Sequence, residues 1–122
     1  MKIALPLDQA YDRSVMKHGV IDDRSLELHC RVAEKLRQNP SLLSIPIKNL
    51  ESWLERESIS PSVHQGLVEW RTILRQPLEN IIKVLTSDNE RGRRLRQSSP
   101  FAGVLSSQER MEIFRKYEPL RA

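Results

Sequence analysis

Cysteine is almost missing from this chain: Cys30 is the only one in 122 residues. No intramolecular disulfide can form, so the fold must stand on its own core, and a reducing cytosol is the expected compartment. Glycine is nearly as scarce. Gly19, Gly66, Gly92 and Gly103 are isolated from one another, so no glycine-rich loop exists to cradle a phosphate. Long apolar runs are also lacking. Nothing approaches the roughly 20 residues that span a bilayer, and Pro6 and Asp8 interrupt the N-terminal run before it reaches signal-peptide length. No membrane association is expected.

Metal-ligand spacing is missing too. The histidines are His18, His29 and His64, and neither Cys-x-x-Cys nor His-Glu-x-x-His occurs. His29 and Cys30 are adjacent on a helix and point about 100° apart, which does not suit one ion. The three histidines read as ordinary surface or boundary residues, and Cys30 as a small buried core residue. Asp88-Asn89-Glu90-Arg91-Gly92 lacks the alternating ligands of a calcium loop and reads better as a helix start. No pair of carboxylates, and no nucleophile with its base, stands at an evident working distance. The expectation is therefore a protein that is not an enzyme, with no metal and no cofactor.

Charge and helical periodicity are what the chain has. Charged residues make up 30% and hydrophobic residues 39% of the sequence, enough for a small core under a charged surface. Proline and serine divide the chain into helical segments. Asp22 or Asp23 can cap a helix running to Gln38, with Leu28, Val32 and Leu36 as its stripe, widened by Leu26 and Ala33. Asn39-Pro40 ends it. Pro46 suits the first turn of the next helix, whose apolar face is Ile47, Leu50, Trp53 and Leu54. Ser60-Pro61 caps and opens another, with Val63, Leu67, Trp70, Ile73 and Leu74. Pro77 separates that helix from one bearing Leu78, Ile81, Ile82 and Leu85. Ser87/Glu90 and Ser106/Glu109 have the spacing of capping boxes. The second opens a terminal helix with Met111, Phe114 and Tyr117 along one side. Gln97–Leu105 is a loop by composition, with a hydrophobic second half.

The fold expected is all-α: a compact irregular bundle of about six short helices over residues 22–122, preceded by an N-terminal arm over 1–21. In that arm Ile3, Leu5 and Leu7 alternate as in an extended segment, and Asp8–Lys17 suits a weak helix ended by Gly19. Leu67, Trp70, Leu74, Leu78, Ile82 and Leu85 are the expected centre of the core. Trp53 and Trp70 can serve as core residues or as partner anchors, and aliphatic neighbours at helical spacing favour the core.

The net charge of +4 comes mostly from the last third, where Arg91, Arg93, Arg94 and Arg96 crowd into six residues. Planar guanidinium forks suit either an acidic protein surface or a nucleic-acid backbone. With Gln97, Ser98, Ser99 and Phe101 they form the candidate partner-binding surface. The bland alternative is a solvated helix face beside a loop that folds back on the core.

The sequence also carries a resemblance. It rests on Trp70 with Ile73-Leu74, on Ile82 and Leu85, on Arg94-Leu95-Arg96-Gln97-Ser98-Ser99-Pro100-Phe101-Ala102-Gly103-Val104-Leu105, and on Glu109-Arg110. Arg24-Ser25-Leu26 and Val32–Leu36 extend it to about residues 24–118. In these residues the chain resembles a group of small bacterial helical proteins associated with toxin–antitoxin operons as the antitoxin partner. The resemblance implies a protein-binding module that neutralises a cognate protein toxin, with Arg94–Leu105 as its signature surface. It supplies no catalytic residue and does not reach residues 1–21. A helical DNA-binding regulator acting on operator DNA, through the Ser60–Thr86 helices or the arginine helix, is the competing reading, and one protein can do both.

Overall fold

The computed structural model describes the backbone of residues 10–56 and 58–118, with side chains from residue 19 onward. Among these residues it is all-helical, with six α-helices and no strand. Ile3, Leu5 and Leu7 lie outside the described residues.

The first helix, α1, runs unbroken from Ala10 to Gln38. The expected interruption at Gly19 and the cap at Asp22 or Asp23 are both corrected. A single mid-helix glycine costs about 1 kcal/mol relative to alanine, which a 29-residue helix without proline absorbs. At about 43 Å, α1 is long, not one of a set of short helices. Lys35 and Arg37 stabilise its negative end. Pro40–Leu43 then forms a single 3-10 turn leading into α2, Ser44–Leu54, with Pro46 buried in its first turn.

Helix α3, Pro61–Ile73, starts as the sequence dictates: Pro61 takes the first helical position and Ser60 Oγ accepts from the Val63 N–H at 3.3 Å. Pro77 caps α4, Leu78–Thr86. Helix α5, Glu90–Arg96, begins differently from expectation. Asn89, not Ser87, is its cap, accepting from Gly92 N–H at 2.7 Å. Ser87 instead ends α4, where its hydroxyl donates to the Lys83 carbonyl. Helix α6, Ser107–Lys116, has the full capping box: Glu109 N–H donates to Ser106 Oγ at 3.1 Å and Ser106 N–H to Glu109 Oε1 at 2.7 Å.

Helix α1 packs on the 3-10 turn, α4, α5 and α6, while α2 lies on α3 and α5 bridges α3 and α4. Leu36, Leu67, Trp70, Ile73, Ile81, Leu85, Leu95 and Ile113 are closed off from solvent in the middle. Of the expected core only Leu78 is half-buried; Ile81, on the same helix, takes the inner position. Trp53 is half-buried against the core, whereas Ile47 is exposed. The apolar stripe expected of α6 does not form the contact: Ile113 is buried, Phe114 and Tyr117 are half-buried, and Met111 is 45% exposed.

Ile113 anchors α6 in the core, and a row of charges aligns it along α1. Glu27, Arg31 and Lys35 climb α1 at four-residue spacing and meet Lys116, Glu112 and Glu109 in antiparallel order. Arg31–Glu112 spans 3.4 Å and Lys35–Glu109 2.9 Å. The Tyr117 hydroxyl donates to the same Glu27 carboxylate at 2.7 Å.

Candidate functional site

The arginine helix α5 is seven residues long, so its faces are few. Gly92, Leu95 and Arg96 point inward. Gly92 allows that approach: a Cβ there would stand 2.4 Å from the Ser87 carbonyl oxygen. The outer side divides in two. Arg94 forms a two-pronged bond with Glu69 of α3, at 3.0 and 3.2 Å, and Arg91 reaches the same carboxylate at 3.6 Å. These arginines, Arg94 foremost, hold Glu69 below the usual carboxylate range. Arg93 turns the other way, to Asp88 at 3.0 Å.

Arg96 is not a surface charge. It is 5% exposed, and its Nη1 donates to the carbonyls of Leu85 at 3.2 Å and Ser87 at 2.7 Å, tying α5 to the end of α4. Burial pushes its pKa down. Nη2 has no hydrogen-bond partner among the described residues.

The run that follows is interior as well. Phe101 is 4% exposed and meets Trp70 edge-on, ring centroids 5.3 Å apart. It was expected to offer an exposed aromatic, and the structure corrects this: Pro100, Phe101, Val104 and Leu105 are all buried. Trp70 Nε1–H donates to the Leu95 carbonyl at 2.8 Å. Asn49 of α2 donates to the carbonyls of Pro100 and Ala102, at 2.8 and 2.9 Å. Lys35 of α1 donates to the Val104 carbonyl at 3.0 Å. Ser98 lies against Gly66, where a Cβ would stand 2.1 Å from its Oγ. The segment Gln97–Leu105 thus satisfies its backbone partly by local turns and partly through side chains of other elements, which is how an irregular segment can be buried.

His29, read as a boundary residue, is buried in this network. Its Nδ1 lies 2.7 Å from the Ser25 carbonyl, which can only accept, so Nδ1 carries the proton. Nε2, at 2.8 Å from Ser99 Oγ, therefore accepts from that hydroxyl. Ser99 Oγ in turn accepts from Phe101 N–H at 3.3 Å. Hydroxyl, imidazole and orienting carbonyl have the order of a nucleophile, base and positioner. Their setting is structural. Burial lowers the His29 pKa to about 4, too weak a base for neutral pH, and Ser99 Oγ is taken up by its bonds to His29 and the Phe101 N–H. Cys30, expected in the core, is half-buried, and burial pushes its thiol pKa up, away from the reactive thiolate. No group of three or more metal-binding side chains converges among the described residues.

The eight residues expected to form one partner surface are therefore divided. Arg91, Arg94 and Gln97 are exposed, Arg93, Ser98 and Ser99 are intermediate, and Arg96 and Phe101 are buried. What the sequence did not reveal is a groove of about 430 Å³ beside them, between α1, the end of α5 and α6. Ile21, Leu28 and Phe114 give it an apolar wall, and Arg24, Arg93 and Arg96 give it positive charge. The Arg24 guanidinium lies 4.8 Å over the Phe114 ring. Only Arg93 and Arg96 of this set belong to the arginine cluster; Ile21 and Arg24 are distant in sequence, and no periodicity pairs them with α5.

No protein family, no curated protein and no solved structure matches the chain. No helix among the described residues is long and apolar enough to cross a membrane.

Proposed function

We propose that the chain is a non-enzymatic, cytoplasmic protein-binding module, and that it acts as the antitoxin of a toxin encoded beside it. The observation that supports this is the outer face of α5. Arg91 and Arg94 are held by Glu69 on one side of the helix and Arg93 by Asp88 on the other, so donors and acceptors stand together on two pre-positioned patches. Such a mosaic of charge matches another protein surface, where complementary groups set partner choice and encounter rate. The resemblance of Arg94–Leu105 to antitoxins points the same way, with the buried half of that run supporting the face and the exposed half making contact.

The competing reading is an operator-binding regulator, favoured by the net charge of +4. A phosphate backbone would have to displace the carboxylates that already occupy these arginines, and Glu90 on the same helix adds to the repulsion.

Co-expression with the product of the neighbouring gene tests the proposal. Wild type restores growth, and Arg91→Ala with Arg94→Ala reduces protection while leaving the melting temperature within a few degrees. Intact protection in the double variant, with loss of affinity for operator DNA that steepens with salt, overturns it in favour of the regulator.

A further inference from the structure

The groove beside α5 combines two features. The first is a buried guanidinium whose hydrogen bonding is incomplete. Nη2 of Arg96 is shut off from water and has no partner among the described residues, while Nη1 of the same group makes two bonds. A buried polar group left unsatisfied costs about 1–3 kcal/mol, more when charged, so native structures seldom keep one without a use. The second is the company Arg96 keeps. Arg24 and Arg93 line the same groove, and Asp22 is the one carboxylate among its lining residues. Arg93 already answers Asp88, and Arg24 rests on Phe114 without a salt bridge among the described residues. Ile21, 49% exposed, lines the same groove, with Leu28 and Phe114 half-buried.

We propose that this groove seats a short acidic, amphipathic segment of a partner protein. One carboxylate of that segment lies between Arg24 and Arg93, with the buried Arg96 charge behind them, and a neighbouring aliphatic or aromatic side chain covers Ile21, Leu28 and Phe114. This rests on the reading of the chain as a protein-binding module and names the chemistry of what it binds. A nucleic-acid backbone fits less well, because it brings no apolar group to cover Ile21 and its repeated charge meets Asp22. Arginine and carboxylate make a two-pronged bond, and the apolar wall beside it lowers the local dielectric and strengthens it.

The probe is a fluorescein-labelled peptide of glutamates interleaved with leucine and phenylalanine, followed by fluorescence anisotropy. Its controls are the same peptide with glutamine for glutamate, one with serine for the apolar residues, and a short DNA duplex. Wild type is expected to bind the first at micromolar concentration and each control at least about tenfold more weakly. Arg24→Gln, Arg93→Gln and Ile21→Ser, all changes of solvent-reached side chains, should each weaken binding about tenfold with the melting temperature unchanged. Equal binding of the glutamine peptide, or no effect of Arg24→Gln and Arg93→Gln together, overturns the proposal. So does tighter binding of the duplex that depends on the same arginines. The growth assay separates this from the antitoxin reading. Peptide binding by a wild-type protein that gives no protection leaves the groove standing and removes the toxin. Protection retained by Arg24→Gln, Arg93→Gln and Ile21→Ser together removes the groove and leaves the toxin.

Discussion

At the scale of single residues the buried polar groups set the behaviour of the molecule. His29 donates through Nδ1 and accepts through Nε2, so protonating it would bury a charge and force the Ser99 hydroxyl to turn from donor to acceptor. Its pKa falls from 6.5 to about 4, mainly through burial. The unfolded chain therefore binds the proton first, and stability falls as pH drops from 6.5 toward 4. The loss amounts to about 3 kcal/mol if the full shift is realised. Glu109 acts in a lower window. Bonds from the Ser106 N–H and from Lys35 lower its pKa from 4.5 to about 2, so its contribution is present above 4.5 and disappears below it. Urea midpoints measured across pH should show the upper step in wild type and not in His29→Gln. A step that survives in that variant would assign it to another group. Phe101 gives a second residue-scale prediction. Packed edge-on against Trp70, it should cost about 3–5 kcal/mol when replaced by alanine, read as a lower melting temperature of the free protein. An unchanged melting temperature would place the ring outside the core.

At the scale of elements, glycines separate what the sequence announced from what it concealed. Gly19 lies within α1 with nothing within 4 Å of where a Cβ would stand. Gly19→Ala should raise stability by up to about 1 kcal/mol through helix propensity alone. Gly92→Ala should do the reverse, because its Cβ would meet the Ser87 carbonyl, and urea denaturation of the pair should give shifts of opposite sign. Helix starts at Ser60 and Ser106 were legible because their chemistry is local: a hydroxyl, an N–H and a residue three positions on. The start of α5 was misplaced, because Ser87 and Asn89 both have the right chemistry, and the end of α4 claims the first. The continuity of α1 was also hidden, since glycine in isolation argues for a break and only the length of the helix around it overrides that. The burial of Gln97–Leu105 was half legible. Its apolar residues were plain, but the lysine, asparagine and histidine that satisfy it come from elements far away in sequence.

At the scale of the whole molecule, two kinds of attachment hold the bundle. Helices α1 to α5 share an apolar core, whereas α6 adds only Ile113 to it, with Tyr117 and Phe114 half-buried, and is aligned by its charged ladder to α1. Exposed ion pairs contribute about 0–1 kcal/mol each and weaken in salt. Raising the salt from low to about 1 M, where screening reaches within about 3 Å, should speed amide exchange in Ser107–Lys116 before it affects α3 or α4. Uniform exchange across all helices would mean that α6 belongs to the same cooperative unit. The candidate site follows the same division. Its charges could be read along the chain, but the groove exists only where α1, α5 and α6 converge, and that convergence is a property of the assembled bundle.

The bonds from His29 to Ser99 and from Lys35 to Val104 link positions 70 and 69 residues apart. A nascent chain presents the apolar stripe of α1, with Val32, Ala33 and Leu36, before α4, against which α1 packs, has been made. Until then the stripe is a natural client for chaperones and an open target for proteases. The two bonds that clamp Gln97–Leu105 onto α1 can form only after synthesis has passed Val104, so this clamp is among the last parts of the core to close.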